Sequence, residues 1–325
     1  MINYAIDAHS HIAFENEEYV VGANYDWPIL PTLDNYEKIA EENGIIYTLF
    51  CPCTTPEIYN KVTKVKENLL LWKYNNGYEY YKQISYDDGN KKIMPLSNNP
   101  YTTINNLLYE YLKYKENMAF IPAVNLIYDT PDYLIELINK GAKAVKVHGI
   151  SIGLDDFKKI NIELLKILHL YDIPLMVHTD YSESTSNPID KLYNANNPLN
   201  WVMLLLKYDI RGYLTHGCRL STECAKIVNN NHGQFLVGMS PDLLLEDEQK
   251  RLMLKNVDYL STLLNIYDFN NLSFDIDYGW NILRRDLPTL DSNQLNRLHN
   301  YAKNEMVLKR VLKDNSKDFF KIRGV

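Results

Sequence analysis

Five of the eight histidines in this 325-residue chain follow short apolar runs, at positions where predicted strands end. They are His9, His11, His148, His178 and His216. Asp277 ends one more run of this kind. Imidazoles and carboxylates are ligands of divalent metals in catalytic sites, where rigid elements supply three or four of them and one position remains for water. The pattern therefore predicts a metal centre at the ends of several strands.

The spacing of these residues supports the same interpretation. His9 and His11 are two residues apart, so in a regular strand both side chains lie on one face, which Asp7 shares. A buried histidine by itself is more often a hydrogen-bonded core residue, but His9, His11, His178 and Asp277 together are better explained as a ligand set. The simpler interpretation stands for the histidines of predicted helices or loops, His169, His232 and His299.

The elements that would position these residues alternate regularly along the chain. Eight short, mostly apolar runs are predicted strands, at residues 4–9, 45–52, 119–125, 142–148, 173–178, 212–216, 235–239 and 272–277. Apolar residues at helical spacing separate them, for example at residues 132–140, 157–170, 201–207 and 247–264. Eight βα units with right-handed crossovers predict an α/β protein, a (β/α)8 TIM barrel, whose active face lies at the carboxyl ends of the strands.

Composition excludes several other classes of protein. The chain is 46% hydrophobic and 23% charged, as soluble globular proteins are, and its net charge of -7 argues against nucleic-acid binding. We find no signal peptide pattern and no apolar run of about 18 residues, so we expect a cytoplasmic protein with no membrane span, whose cysteines stay as thiols. The lack of a Gly-rich loop after the first strand argues against an open nucleotide-binding sheet.

Two connections are longer than a barrel requires, at residues 12–34 and 53–118. We treat residues 1–325 as one barrel domain with an insertion at 54–117, after the second strand. A connection after the carboxyl end of a strand projects over the barrel mouth, so the Tyr-rich residues 77–99 are predicted to form a lid. The alternative to a lid is a surface loop or a contact between subunits, and the second of these would make the protein a homo-oligomer.

Several segments resemble motifs of the amidohydrolase superfamily of metal-dependent barrels. They are DAHSH, KVHG, PLMVHTD, LTHG and FDIDYGW, and the most similar branch is the one called amidohydrolase-related, or amidohydrolase 2. The resemblance spans nearly the whole chain and implies that His9, His11 and His178 bind a divalent metal, with zinc expected. It also implies that Asp277 touches the metal or its water. Gly279 stands where the branch usually has proline, which leaves the shape of that loop open.

Lys146 raises the question of a second metal. Some members of the superfamily carry a carbamylated lysine on the fourth strand that bridges two metals, and Lys146 lies near that position. Alternation places Lys146 and His148 on the same side, where a buried lysine needs a partner or a modification. An ion pair with Asp7 or Asp275 is the alternative, and one metal is favoured over two.

The resemblance implies a hydrolase that cleaves a C–N or C–O bond of a small polar molecule with a metal-activated water. Asp277 would carry the proton, and His216 would polarise the attacked carbonyl or bind a second metal. The alternatives are a non-oxidative decarboxylase or hydratase of the same branch and, from another class, a metal-binding barrel without turnover.

Other residues are candidates for contact with the substrate at the barrel mouth. Arg219 and Arg284 can hold a carboxylate or phosphate, and Trp280 can form an apolar wall. Cys51 and Cys53, in the sequence CPC, are weaker candidates as soft metal ligands, because imidazoles already serve the metal.

Overall fold

We analysed a computed structural model of the chain. It describes residues 5–15, 19–21, 32–52, 57–60, 65–74, 77–85, 91–95, 100–179, 194–240, 259–278, 298 and 304–325. Five residues considered above lie outside these ranges, namely Cys53, Gly279, Trp280, Arg284 and His299.

Short strands run through the described residues from one end to the other. In chain order they are β1 (Ala5–His11), β2 (Phe14–Glu15), β3 (Tyr19–Val21), β4 (Ile45–Cys51), β5 (Glu57–Asn60), β6 (Val65–Tyr74), β7 (Gly77–Ser85), β8 (Lys91–Pro95), β9 (Met118–Phe120), β10 (Val145–Val147), β11 (Leu175–Val177), β12 (Gly212–Leu214), β13 (Phe235–Gly238) and β14 (Leu272–Ser273). The eight predicted strands are confirmed as β1, β4, β9 and β10 to β14, most of them shorter than predicted.

These eight strands form a closed parallel barrel. β1, β4 and β9 make one ladder and β10 to β14 another, and a parallel bridge between Ala123 and Lys146 joins the two. On the opposite side, the Ala8 amide donates to the Phe274 carbonyl at 3.1 Å and the Asp277 amide donates to the His9 carbonyl at 2.9 Å. The predicted TIM barrel is confirmed, and its closure places His9 beside Asp277.

Helices follow the strands as predicted. The α-helices of the described residues are α1 (Leu33–Glu42), α2 (Pro100–Leu112), α3 (Pro131–Asn139), α4 (Ile162–Leu170), α5 (Pro198–Lys207), α6 (Thr222–Asn230), α7 (Tyr259–Ile266), α8 (Glu305–Lys309) and α9 (Asn315–Phe319). Side-chain caps begin several of them, as Thr130 does for α3, and Gly141 takes a φ of 93° just after its end. Within these ranges, no helix is long and apolar enough to cross a membrane.

A β-bulge in β1 decides which side chains face the barrel interior. From Asp7 to Ser10, β1 advances three residues while its partner β4 advances two. The extra residue reverses the alternation, so Asp7 bonds Tyr36 of α1 on the helix side, whereas His9 and His11 meet the interior. The expectation that Asp7 shares a face with His9 and His11 is wrong, because it assumed a regular strand.

The two long connections come together in one antiparallel sheet. Its strand order is β2-β3-β5-β6-β7-β8, so it combines residues that follow β1 with residues of the predicted insertion. The sequence analysis identified both connections but predicted no strands in them. The function of this sheet as a lid stays a prediction.

The barrel interior is filled by apolar side chains that the carboxyl-terminal segment completes. Ile6, Leu49 and Met176 belong to this interior cluster, and so do Phe319 and Phe320. Arg211, which directly precedes β12, stacks its guanidinium on Phe319 at 5.1 Å. The carboxyl-terminal segment therefore covers the amino-terminal end of the barrel, opposite the histidines.

We expect Phe320→Ala to lower the free energy of unfolding by about 3–5 kcal/mol, because the side chain is 2% exposed and its removal leaves a cavity in the interior cluster. Urea denaturation followed by circular dichroism measures the change. Met306→Ala, at a side chain that is 65% exposed, is the control and should shift stability by no more than about 0.5 kcal/mol. An equal loss in both variants would contradict the placement of Phe320 in the barrel interior.

Candidate metal centre

The carboxyl ends of the barrel strands bring the predicted site residues of the described ranges together. Most side chains in this cluster are buried, and His148 and His178 are half-buried. Ring centroids lie 4.8 Å apart for His9 and His11 and 5.7 Å apart for His9 and His216. His178 lies 4.6 Å from His216 and stacks on His148 at 4.1 Å. Strands far apart in sequence therefore form one imidazole cluster.

His216 and Asp277 both take left-handed backbone conformations, with φ of 58° and 50°. His216 begins a turn, His216–Leu220, in which every residue has positive φ. Each such non-glycine residue costs about 1–2 kcal/mol, and strain of this kind concentrates at functional sites. The turn redirects the chain after β12 and carries Arg219 toward the histidines.

At the seam between β1 and the segment after β14, Asp277 Oδ1 lies close to one ring nitrogen of His9 and one of His11. His11 Nε2 lies 3.3 Å from Asp277 Oδ1, and His9 Nδ1 lies 3.7 Å from the same oxygen. Ligands of a tetrahedral zinc lie about 3.3–3.5 Å from one another. His9 Nδ1 and Asp277 Oδ1 are buried and have no hydrogen-bond partner among the described residues. Asp277 Oδ1 and His11 Nε2 fit a divalent metal directly, whereas a metal on His9 Nδ1 also requires Lys146 to lose a proton or to move, because its ammonium donates to His9 Nε2 at 3.0 Å.

The hydrogen bonds of His11 leave its Nε2 atom for a contact with Asp277 or with a metal. Nδ1 lies 3.2 Å from the Cys51 carbonyl, which only accepts, so Nδ1 carries a proton and Nε2 faces Asp277. Burial lowers the pKa of His11, but the combined effect of Cys51 and Asp277 is larger and raises this pKa well above 6.5. A bound cation would replace the proton between His11 and Asp277.

Cys51 offers a second donor set. Ligand atoms of His9, His11 and Cys51 all lie within 4.8 Å of one another, and the thiol Sγ is 3.4 Å from His11 Nδ1. Nδ1 of His11 already donates to the Cys51 carbonyl, so a metal held with Cys51 would have to use Nε2 of His11 or displace that hydrogen bond. Asp277 as the ligand stays a prediction, and Cys51 is the alternative that the described residues offer.

His148, His178 and His216 are neutral at physiological pH. Burial lowers the pKa of His148 and of His216 to about 3, and the pKa of His178 well below 6.5. The positive charge of Arg219, three residues after His216, contributes to the low pKa values of His178 and His216. Neutral imidazoles next to a cation suit metal ligation and anion binding, as predicted for this face.

Lys146 points into the barrel, as alternation predicts. It is 1% exposed, and Nζ lies 3.0 Å from His9 Nε2. The two carboxylates considered as its partners accept other hydrogen bonds, Asp7 from Tyr36 at 2.7 Å and Asp275 from Tyr213 at 2.9 Å. Carbamylation of Lys146 and the number of metals stay predictions.

The sequence analysis missed the polar layer on which the histidines lie. Burial raises the pKa of Asp7 to about 7 and that of Asp275 to about 8. Tyr36, on a helix, and Tyr213, inside the barrel, bind these carboxyl groups. The chain has 26 tyrosines, and no local pattern distinguishes these two from the others.

Comparison with known proteins supports the fold. No family model matches this sequence, and no curated protein does. A solved structure of a probable 2-pyrone-4,6-dicarboxylic acid hydrolase from Acinetobacter baumannii, with citric acid bound, aligns over 98% of this chain and 99% of its own, with a TM-score of 0.57 and 12% identity.

Two further structures give the same result. A protein from Agrobacterium tumefaciens aligns over 99% of this chain and 97% of its own, with a TM-score of 0.57 and 13% identity. Amidohydrolase 2 from Bifidobacterium longum subsp. infantis aligns over 99% of this chain and 100% of its own, with a TM-score of 0.53 and 10% identity. The resemblance carried by the sequence motifs is confirmed at the level of the fold.

We expect Cys51→Ser to bind as much cobalt(II) as the original chain and to leave its visible spectrum unchanged, because Asp277 rather than Cys51 is the predicted ligand. Absorption spectroscopy of the cobalt-loaded protein measures this, since a thiolate ligand adds a charge-transfer band in the near ultraviolet. Cys224→Ser is the matched control, at a buried thiol on α6. A charge-transfer band that Cys51→Ser removes and Cys224→Ser retains would make Cys51 a ligand.

Proposed function

We propose that this protein is a metal-dependent hydrolase that cleaves a C–N or C–O bond of a small polar molecule. The observation that carries the proposal is the convergence of His9, His11 and Asp277 at the barrel mouth, where Asp277 Oδ1 lies 3.3 Å from His11 Nε2 and 3.7 Å from His9 Nδ1. The fold is shared with proteins named as hydrolases, and one of those names specifies a pyrone, a cyclic ester, which supports the C–O alternative.

Zinc at this position would supply an activated water, whose pKa a bound metal lowers from 15.7 to about 7. Asp277 is suited to accept the proton. Burial alone would raise its pKa, but His11 and the charge of Lys146 lower it below 3.8, so the carboxylate is ionised at neutral pH. Asp277 would then deliver the proton to the leaving group.

Arg219 is the cation that we propose meets the substrate. Its charge acts on His178 and His216, so a substrate carboxylate or a developing oxyanion near these rings would meet a guanidinium. His216 was predicted to polarise the attacked carbonyl, which requires a proton on Nε2. Its Nδ1 donates to the Ser240 carbonyl at 2.9 Å, and a neutral ring with that proton accepts at Nε2. We therefore propose that Arg219 stabilises the oxyanion and that His216 orients His178.

The position of Arg219 also favours a second candidate function. An arginine beside the metal can hold a substrate carboxylate, which a non-oxidative decarboxylase or hydratase of this fold would need. Hydrolysis is preferred because of the charged Asp277, which is suited to take the proton of an attacking water.

We expect the purified chain to hold about one zinc, and His178→Ala to lose both the metal and turnover, because His178 is the predicted ligand from β11. Elemental analysis per chain and assays against lactones and amides measure the two losses. His169→Ala, at an exposed histidine of α4, is the control. Full metal occupancy in His178→Ala would remove His178 from the ligand set, and two metals per chain would favour a bridging Lys146.

Arg219→Met should raise KM about tenfold or more for substrates that carry a carboxylate, since a hydrogen bond to a charged group contributes about 1.5–3 kcal/mol. Substrates without a carboxylate should be less affected. The panel pairs lactones and amides with aromatic and keto acids, and product analysis separates hydrolysis from release of CO2. Arg310→Met, on the surface beside Asp318, is the control. An unchanged KM in Arg219→Met would separate this residue from the substrate.

A further inference from the structure

A buried tyrosine and carboxylate lie beneath the histidine cluster, inside the barrel. Tyr213 OH donates to Asp275 Oδ2 at 2.9 Å, and both residues are at most 3% exposed. Gly238 of β13 makes room for them, since a Cβ there would lie 2.3 Å from Asp275 Oδ2 and 2.5 Å from Tyr213 OH. Three neighbouring barrel strands thus converge on one polar pair.

The second oxygen of Asp275 fixes the backbone of Ser240. The Ser240 amide donates to Asp275 Oδ1 at 2.6 Å, and the Ser240 carbonyl accepts from His216 Nδ1 at 2.9 Å. The carboxylate of Asp277 is farther from the same nitrogen, at 3.9 Å. Ser240 therefore transmits the position of Asp275 to His216.

The hydrogen bonds continue from His216 to His178. A carbonyl only accepts, so His216 carries its proton on Nδ1 and presents a lone pair at Nε2. His178 Nδ1 lies 3.1 Å from that Nε2 and must donate to it, which leaves the Nε2 lone pair of His178 for a ligand. One chain of hydrogen bonds thus sets the tautomer of both rings.

We propose that Asp275 and Tyr213 are positioning residues that hold His216 and His178 in the tautomer with the proton on Nδ1, through the backbone of Ser240. The inference deepens the proposed function, on which its catalytic meaning rests. Neither residue needs to touch substrate. Their effect is to present the free Nε2 of His178, the predicted metal ligand, in one orientation.

The test is to measure the histidine tautomers by long-range proton–nitrogen NMR. The sample is the full-length, metal-free chain labelled with nitrogen-15 histidine. The variants His216→Gln and His178→Gln assign the signals of these two rings. Asp275→Leu removes the acceptor of the Ser240 amide. In this variant the ratio of Nδ1–H to Nε2–H tautomers of His216 should fall about fivefold or more, because one hydrogen bond contributes about 1 kcal/mol. Asp275→Asn keeps an acceptor and should restore the ratio. Tyr213→Phe should shift it in the same direction by a smaller factor.

Tyr47→Phe is the matched control, because Tyr47 is a buried tyrosine of the same interior cluster, on β4. An unchanged tautomer ratio in folded Asp275→Leu, or an equal shift in Asp275→Asn, overturns the proposal. If Asp275→Leu does not fold, the comparison of Tyr213→Phe with Tyr47→Phe decides, and equal shifts overturn it. Zinc content is measured separately, so a chain that binds no zinc would end the proposed function while the tautomer result stands.

Discussion

The closure of the barrel between β1 and the segment after β14 is the constraint on which the site depends. The Asp277 amide donates to the His9 carbonyl and the Ala8 amide donates to the Phe274 carbonyl, so these bonds hold β1 against the segment after β14. The same closure places the Asp277 carboxylate within 3.3–3.7 Å of two imidazoles. Barrel formation and assembly of the donor atoms are therefore one event, and a loss of closure would remove both.

The interior of this barrel is divided between two kinds of contact. Its amino-terminal half is apolar and includes Phe319 and Phe320, whereas polar groups are layered beneath the mouth. Burying carboxyl groups such as Asp7 and Asp275 is unfavourable, which is why burial raises their pKa values to about 7 and 8. A hydrogen bond from Tyr213 offsets part of that cost for Asp275 inside the barrel, and one from Tyr36 does so for Asp7 on the helix side of β1.

Strain and desolvation at the mouth have a common consequence. His216 and Asp277 occupy left-handed backbone conformations, and several imidazoles are kept neutral by burial. Both features cost folding free energy, and both orient lone pairs and charges toward one point. A site arranged before its ligand arrives needs little reorganisation when the ligand binds. In the proposed enzyme, this arrangement would serve the metal and the anionic part of the substrate.

The amino-acid sequence by itself determined the eight strands, the barrel class and the strand ends that carry histidine, because apolar periodicity and residue type are local properties. It did not reveal the bulge that separates Asp7 from His9, since the extra residue is defined only by pairing with β4. Nor did it reveal the antiparallel sheet of the two long connections or the link from Tyr213 to His216. Tertiary structure decided these features, because strand pairing and hydrogen-bond geometry join residues that are distant in sequence.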